Sequence, residues 1–421
     1  MPVPRKLPLS GGREAKLKIK YMSTNKLDIL KTEVRDELVN NILPFWSGKM
    51  IDSGDGGFYG RIDGSGRVYD EADKGCVLNA RILWTFSSAY RVLKNPEYLK
   101  VAERAKDYLL KHFVDKEFGG VFWLLDHTGE MKDGKKQIYA QAFAIYGLAE
   151  YYRITNDSTC IGKAIDLFRL IEKYSYDNKL EGYFEAFSRE WGVLDDLRLS
   201  AKDANEKKTM NTHLHVLEAY TNLYRIWKDD LLKKQLQRLI GVFTDKIVND
   251  HTFNLNMFFD EEWNDKTDLV SYGHNIESSW LIYEAALVLG DETLISKVRK
   301  ICLKIAEASR KGLMPDGSMI YEKFFTTGYI DYDRHWWVQA ETVVGFLNAF
   351  SLSLKEEYLD LSLATWRFIS DHLIDRKNGE WFWSIDKNMI PNLNEDKAGF
   401  WKCPYHDSRM CLEIIEKQNI L

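Results

Sequence analysis

The chain has 421 residues, of which 45% are hydrophobic and 29% are charged, and its formal net charge is −5. This is the composition of an ordinary globular protein, and the modest negative charge offers no electrostatic footprint for nucleic acid or anionic lipid. No apolar run reaches the roughly 18 residues that a membrane-spanning helix needs. A neutral or weakly charged substrate fits these properties best.

Five cysteines are scattered along the chain with no CxxC spacing, which indicates neither a disulfide framework nor a thiolate zinc site. We interpret them as reduced thiols and expect a cytoplasmic protein. The first 21 residues are basic and lack the apolar stretch of a secretion signal. We therefore expect a disordered or weakly ordered arm over residues 1–25 and a single catalytic domain over residues 26–421. The cysteines are Cys76, Cys160, Cys302, Cys403 and Cys411.

A weak internal repeat organises the rest of the chain. A glycine or turn residue followed by clustered aromatic residues returns six times, at intervals of roughly 60 to 75 residues. This period fits a long helical hairpin plus a loop. The six segments, called the aromatic turns below, are 56–59, 119–123, 181–184, 256–259, 317–321 and 379–383.

Two helix-length patterns lie between successive aromatic turns. In the first couplet, 78–93 is apolar on nearly every side and predicts a buried helix, whereas 98–113 carries an amphipathic stripe and predicts an outer helix. Pro96 lies between them, at the first turn of a helix, where proline is tolerated. The couplet returns as 138–153 with 158–173, 211–227 with 230–247, 275–289 with 291–309, and 336–353 with 356–373.

The sixth couplet is divided between the two chain ends. Residues 408–417 supply the buried helix, and residues 26–42 supply the amphipathic one. A ring that is closed by its own ends explains this division. We therefore predict an all-α fold, an (α/α)6 barrel of six inner and six outer helices, closed by the two chain ends.

Polar residues stand at the starts of the predicted inner helices. All inner helices of such a barrel run the same way, so these starts share one rim, where titratable groups converge and a functional site is favoured. The polar and aromatic residues at these starts are Asn79, Arg81, Tyr139, Gln141, Asn211, His213, His215, Glu218, His274, Glu277, His335, Trp337, Glu341, His406 and Arg409.

Single members of this set also have structural interpretations. His213 and His215 are two residues apart and point to different sides of a helix, so one of them is structural, and we assign that role to His213. His335 is compatible with a loop position. Glu218 and Glu341 are compatible with buried carboxylates that pair with arginine.

Motifs for metal and nucleotide chemistry receive no support. His213 and His215 cannot chelate a metal from one helix face, and His274-x-x-Glu277 lacks both the HExxH pattern and an evident third ligand. The chain contains no GxxxxGK[ST] and no GxSxG motif, and no GxGxxG follows a strand. We therefore predict neither a metal nor a cofactor.

Several segments together resemble the N-acylglucosamine 2-epimerase superfamily. A further segment, 401–413, resembles the members of that superfamily that act on β-1,4-linked disaccharides. The likeness covers essentially the whole chain from Lys26 onward. The superfamily-like segments are RILWTFS from Arg81, NTHLHVLE from Asn211, GHNIESSW from Gly273 and WWVQAE from Trp336.

The resemblance implies an isomerase that inverts carbon 2 of the reducing-end glucose of cellobiose or lactose. It implies that His274 and His406 are the acid and the base, and that Trp337 and Trp401 stack on sugar rings. The implied catalytic set is His274, His406, His215, Glu277 and Arg81, and the implied substrate-binding set is Asn211, Trp337, Trp401, Tyr139, Asp203 and Glu341.

Histidines suit this chemistry. Inversion at carbon 2 of an aldose requires ring opening, removal of a proton alpha to the aldehyde and its return, and imidazole has a pKa near neutrality. Arg81, His215 and Asn211 are suited to stabilising the enediolate oxygens. The reaction is redox-neutral, so it demands no cofactor.

Other functions stay open at this point. The same superfamily contains epimerases of N-acetylglucosamine or mannose and aldose–ketose isomerases. A glycoside hydrolase on the same barrel would need a carboxylate pair, and a non-catalytic sugar-binding protein would need only the aromatic residues. We expect an oligosaccharide substrate, no nucleic-acid or membrane partner, and a monomer or weak dimer. The carboxylate candidates for hydrolysis are Asp203, Glu218, Glu277 and Glu341.

Overall fold

Helices alternate between two layers along residues 11–417, the part of the chain that this computed structural model describes, with side chains from Ser23 onward. The inner layer consists of α3 (Cys76–Leu93), α5 (Ile138–Thr155), α7 (Met210–Ile226), α9 (Tyr272–Leu289), α11 (Trp336–Ser353) and α13 (His406–Glu416). The outer layer consists of α1 (Gly11–Glu37) with the short α2 (Leu43–Gly48), α4 (Pro96–Tyr108), α6 (Ser158–Tyr174), α8 (Asp230–Val242), α10 (Glu292–Ser309) and α12 (Glu356–Phe368).

The inner helices form a closed ring. Each packs against the next in chain order, and α13 returns to pack against α3. Each outer helix packs against the inner helix of its own couplet, with α1 against α13. The predicted (α/α)6 barrel, including the couplet that is divided between the chain ends, is therefore confirmed.

The two helices of a couplet are joined by a very tight turn. Inner helix α5 ends where Asn156 adopts a left-handed conformation, and Asp157 then accepts hydrogen bonds from the amides of Thr159 and Cys160 to start α6. One residue in the left-handed conformation thus ends the first helix, and the next residue caps the N-terminus of the second. Lys94 with Asn95 and Gly290 with Asp291 repeat the arrangement.

Short antiparallel strand pairs link successive repeats on one rim. The strand that leads into an inner helix pairs with the strand that follows the next aromatic turn, as in the register Lys74 with Leu125. An isolated β-bridge between Ile62 and Ala398 links the last repeat to the first, so the linked repeats form a closed circle on this rim. The strands are β1 (Arg61–Ile62) with β2 (Val68–Tyr69), β3 (Lys74–Gly75) with β4 (Leu124–Leu125) and β5 (Met131–Asp133), β6 (Lys136–Gln137) with β7 (Ala186–Phe187), β8 (Lys208–Thr209) with β9 (Phe258–Phe259), β10 (Leu269–Ser271) with β11 (Glu322–Phe324) and β12 (Ile330–Asp331), and β13 (Arg334–His335) with β14 (Ser384–Ile385).

A buried ion pair supports most of the aromatic turns. Lys74 Nζ lies 2.7 Å from Asp52 Oδ2, and both side chains are almost inaccessible to solvent. In the fourth repeat, Asn249 and Val270 occupy the corresponding positions, so both charges are absent together. This joint replacement avoids the unpaired buried charge that is costly in a protein interior. Equivalent pairs are Asp115 with Lys136, Asp177 with Lys208, and Asp375 with Lys397.

The predicted boundary between arm and barrel does not coincide with the end of an element. Helix α1 begins at Gly11 and continues through residue 26. Ser23 is buried, and its Oγ donates a hydrogen bond to Glu356 Oε1 at 2.6 Å, so it belongs to the barrel. Residues 1–10 lie outside the described residues, and the disordered arm stays a prediction there. None of the described helices is long and apolar enough to cross a membrane.

Candidate active site

Five inner helices present the same positions to the barrel axis. The residues lie on one face of the helix because they are four and then three positions apart. Contacts between stripe residues of neighbouring inner helices agree with this orientation: the Arg81 guanidinium lies 4.1 Å from the Phe143 ring centroid, and the Tyr139 and His215 rings lie 4.9 Å apart. We call this face the axis-facing stripe. Its members are Val77, Arg81 and Trp84 on α3; Tyr139, Phe143 and Tyr146 on α5; Asn211, His215 and Glu218 on α7; Gly273, Glu277 and Trp280 on α9; and Trp337, Glu341 and Val344 on α11.

A different helical position holds the aromatic turns in place. The side chain of Gln141 accepts a hydrogen bond from the Val121 amide at 2.8 Å. His213 is the equivalent residue on α7: its Nε2 accepts from the Tyr183 amide at 2.9 Å, and its Nδ1 lies 2.6 Å from the Thr209 carbonyl. Both ring nitrogens of His213 are therefore used by the backbone, which supports its predicted structural role.

Two imidazoles contact the indole ring of Trp337. The ring centroids of His274 and His406 lie 4.7 Å and 5.6 Å from that of Trp337. Gly273 makes this packing possible, because a Cβ atom there would lie 2.7 Å from the Trp337 ring. The two predicted acid and base residues thus lie at the same end of the barrel, around one aromatic platform.

In each of these imidazoles, the Nδ1 atom has a side-chain hydrogen-bond partner. Nδ1 of His406 lies 2.7 Å from Glu341 Oε1, and Nδ1 of His274 lies 2.8 Å from the Ser271 hydroxyl. Burial lowers the pKa of His274 to about 3, and burial together with the cations Arg81 and Arg409 holds the pKa of His406 well below its ordinary value. Both rings are therefore neutral near pH 7 and able to accept a proton.

Arg409 joins three carboxylates at the floor of the site. Its Nη2 lies 2.6 Å from Oε1 of both Glu277 and Glu341, and its Nη1 contacts Glu218. Glu218 also accepts from Tyr405, and it lies 3.0 Å from Nδ1 of His215. Although burial alone would raise the pKa of Glu218, Arg409 and His215 lower it to about 2.

Arg81 is the other buried cation of the site, and its surroundings differ from those of Arg409. Its Nη2 donates to Tyr139 Oη at 2.8 Å, and its Nη1 lies 3.4 Å from Cys403 Sγ. Burial raises the pKa of Cys403, so this partner is a neutral thiol. Within the described part of the chain, Arg81 forms no ion pair with a carboxylate. Its charge is therefore available to a negative charge that develops on a bound molecule.

The remaining predicted residues lie around the mouth. Asn211 belongs to the axis-facing stripe, and its Oδ1 is buried without a partner among the described atoms. The Trp401 ring lies 6.0 Å from that of Tyr139, on the Arg81 side of the site. Asp203 lies in a loop, where its carboxylate accepts from the backbone and hydroxyl of Ser200, and its place in the substrate site stays a prediction.

Three side chains also have the arrangement of possible metal ligands. One ligand atom each from Glu277, Glu341 and His406 lies within 4.8 Å of the others. The guanidinium of Arg409, however, already lies between the two carboxylates and supplies the positive charge that they require. A divalent cation in the same place would meet a permanent positive charge, so these residues do not fit a metal.

Three residues of this site, Glu218, Tyr405 and Arg409, lie outside the predicted catalytic and substrate-binding sets, although Glu218 and Arg409 were predicted to stand on this rim. Glu218 follows His215 on the axis-facing stripe, so the spacing of four and three residues was a usable signal. The alternative that Glu218 and Glu341 pair with arginine is confirmed, and the arginine is Arg409. Tyr405 immediately precedes the shorter α13 and Arg409 lies on it. This helix does not follow the register of the other inner helices, so the repeat gave no signal for their contacts with Glu218.

Comparisons with known proteins agree with this geometry. A sequence model of the N-acylglucosamine 2-epimerase (GlcNAc 2-epimerase) family matches residues 57–407. A cellobiose 2-epimerase of Bacteroides fragilis is 55% identical over 388 residues, which cover 92% of this chain and 99% of that protein. A cellobiose 2-epimerase of Dictyoglomus turgidum is 39% identical, over 93% of this chain and 99% of that protein.

Solved structures show the same likeness. The cellobiose 2-epimerase from Bacillus thermoamylovorans B4167 has a TM-score of 0.89 and 41% sequence identity, and the match covers 93% of this chain and 100% of that one. The barrel with its rim of histidines and carboxylates is thus that of a carbohydrate epimerase. The chain belongs to the N-acylglucosamine 2-epimerase family, in its cellobiose 2-epimerase group. The predicted family and class of enzyme are confirmed.

Proposed function

We propose that the chain reversibly inverts carbon 2 of the reducing-end glucose of β-1,4-linked disaccharides. Cellobiose would give glucosyl-mannose, and lactose would give epilactose. The observation that carries this proposal is the pair of neutral imidazoles, His274 and His406, against the single ring of Trp337. An acid and a base that flank one aromatic platform can serve the two faces of one sugar carbon.

In the proposed reaction the sugar ring opens first, and one imidazole then removes the proton from carbon 2. The electron pair of the C–H bond enters an enediolate, and the imidazole on the other face, which took up the carbon 1 hydroxyl proton during ring opening, delivers that proton to carbon 2. A neutral His406 that donates from Nδ1 to Glu341 keeps its lone pair on Nε2, which suits it as the base. Ser271 can donate to or accept from His274, so that ring can hold its proton on either nitrogen.

Arg81 and Asn211 are assigned to the enediolate oxygens. Arg81 carries a permanent charge and forms no direct ion pair with a described carboxylate, and two of its nitrogens donate to uncharged partners. Asn211 can donate from its Nδ2 amide to such an oxygen, while its buried Oδ1, which has no partner among the described atoms, can accept from a sugar hydroxyl. Preorganised groups of this kind, directed at a developing negative charge, are often the largest single contribution to catalysis.

The test is the reaction of cellobiose in deuterated water, followed by NMR at carbon 2. The wild type is expected to form the C2 epimer and to incorporate deuterium there. His274→Ala and His406→Ala are expected to form no epimer while retaining their helical circular dichroism, and His251→Ala, at an exposed site, is the matched control. Deuterium incorporation at the wild-type rate in both variants would exclude these histidines from the mechanism.

The substrate preference needs a separate measurement. Incubation with cellobiose, lactose, mannose and N-acetylglucosamine distinguishes a disaccharide epimerase from the other activities of the family. Release of free glucose from cellobiose would instead favour a hydrolase. The monomeric or weakly dimeric state and the cytoplasmic location stay predictions, which sedimentation and cell fractionation test.

A further inference from the structure

Three buried carboxylates share one guanidinium at the floor of the site. Glu218, Glu277 and Glu341 all contact Arg409, and each of these four side chains is at most 3% exposed. Three ionised carboxylates and the two buried arginines of the site, Arg409 and Arg81, would leave one uncompensated negative charge away from water. Such a charge is expensive to bury, and the usual response is that a carboxylate takes up a proton.

The hydrogen bonds indicate which carboxylate takes it. Glu218 accepts from Arg409 and Tyr405 and lies beside Nδ1 of His215, so three donors stabilise its ionised form. Glu341 likewise lies within hydrogen-bond distance of Arg409, the indole N–H of Trp280 at 2.9 Å and Nδ1 of His406.

Glu277 differs from both. Its Oε1 accepts from Arg409, while its Oε2 is buried with no hydrogen-bond partner among the described atoms. An ionised carboxylate needs donors on its oxygens, whereas a protonated one can leave its O–H directed into the site. We propose that Arg409 is a positioning residue that holds Glu218 and Glu341 as carboxylates, and that Glu277 carries the remaining proton on Oε2 as a neutral carboxylic acid in the resting enzyme.

The charges of the site support this distribution. With one proton on Glu277, the two ionised carboxylates balance Arg409 and Arg81, so the buried site is neutral as a whole. The titratable groups that face Glu277 are Glu218 on α7, Glu341 on α11, Tyr139 on α5, and Tyr405, His406 and Arg409 at the start of α13. Only Arg409 among them is a permanent cation. Burial and the charge of Glu341 raise the pKa of Glu277 in the same direction.

The role of the Glu277 proton in catalysis rests on the proposed function, whereas the presence of that proton on Glu277 does not. In ring opening, the bond between carbon 1 and the ring oxygen breaks, and its electron pair stays on that oxygen. Glu277 gives its proton to the ring oxygen, and the carbon 1 hydroxyl gives its own to a neutral imidazole as the aldehyde forms. Proton count and charge balance in this step without any further reactant.

Infrared spectroscopy tests the protonation directly, with no substrate present. The difference spectrum between the wild type and Glu277→Gln at neutral pH is expected to contain one carbonyl band of a protonated carboxyl, which shifts in deuterated water. Glu150→Gln is the control, because Glu150 is buried between Arg91 and Arg153 and should lose only carboxylate bands. Loss of carboxylate bands alone in Glu277→Gln would overturn the proposal, whether or not the chain epimerises cellobiose.

The role of Arg409 has its own readout. Arg409→Gln removes the cation, so a second carboxyl is expected to take up a proton and to add a carbonyl band at neutral pH. Arg409→Lys keeps the charge and is expected to retain the wild-type bands. An unchanged spectrum in folded Arg409→Gln would contradict the role given to Arg409, and if that variant does not fold, altered carboxyl bands in Arg409→Lys would contradict it.

Discussion

Nδ1 of His406 lies 2.7 Å from Oε1 of Glu341, which belongs to the neighbouring inner helix. The carboxylate fixes the position of the ring proton and stabilises the imidazolium that forms when His406 takes a proton. Glu341→Gln keeps the shape of the side chain but removes its charge. We expect kcat with cellobiose to fall roughly ten- to hundredfold, as for other partners that orient a functional histidine, with little change in KM.

Steady-state kinetics check this, with Glu284→Gln as the matched control. Glu284 lies on α9 and pairs with Arg225, away from the histidines, so its replacement should leave kcat unchanged. A kcat for Glu341→Gln equal to that of the control would mean that His406 does not depend on its carboxylate.

Removal of the positive charge of Arg81 should slow the chemical step. We expect Arg81→Met to lower kcat roughly 10²- to 10³-fold, because the enediolate loses its nearest positive charge. Arg81→Lys should recover only part of this, since an ammonium lacks the planar pair of donors. Arg91→Met, farther along the same helix, is the control for kcat. Activity of Arg81→Met within a few-fold of the wild type would place the enediolate elsewhere.

His213 should be replaceable by the residue that two other repeats use. Gln141 and Gln339 make the equivalent hydrogen bonds to their aromatic turns, so His213→Gln is expected to keep both the fold and the activity. His215→Gln, on the axis-facing stripe, is expected to lose activity. Equal kinetic effects of the two replacements would contradict the division between structural and axis-facing positions.

His213→Gln should also change how the stability of the protein depends on pH. Burial lowers the pKa of His213 to about 4, so between pH 6.5 and 4 the unfolded chain binds more protons at this residue than the folded one. Stability is therefore lost as the pH falls through that range. His213→Gln should reduce the slope of unfolding free energy against pH by up to about 1.4 kcal/mol per pH unit, which urea unfolding at several pH values measures.

The fourth repeat predicts the outcome of a double replacement in the first. Asp52→Asn or Lys74→Val alone leaves one buried group unpaired, and we expect each to cost roughly 3–5 kcal/mol. The double variant reproduces Asn249 with Val270, and its loss should be clearly smaller than the sum of the single losses. Urea unfolding of the four proteins gives the coupling energy. A double loss equal to the sum would mean that the two residues act independently.

The helices could be predicted from the sequence to within a few residues, because each inner helix is apolar on all sides and each outer one on half. The predicted 138–153 and the observed Ile138–Thr155 show this. The strands could not be predicted, because two or three residues are too few to produce an alternating pattern. The start of the barrel was also placed too late, because a polar helix such as α1 shows its buried face only when the partner helix is known.

The site was predicted in outline and not in its hydrogen bonding. Histidines at helix starts pointed to one rim, and the structure brings His274, His406 and His215 together there. Arg409 was predicted to stand on the rim, but its role was not predicted, because that role comes from three carboxylates on three other helices, which no local pattern connects. Asp203 followed from resemblance alone, and its role in substrate binding stays a prediction.

The axis-facing stripe belongs to the inner layer alone, so the two layers of the barrel have different functions. The side chains that contact the sugar in the proposed reaction all come from the inner helices and the segments that lead into them. The side chains of the outer helices instead pack against neighbouring helices or face water. Engineering of heat tolerance can therefore be confined to the outer layer, and engineering of specificity to the axis-facing stripe and the entry segment that carries Trp401.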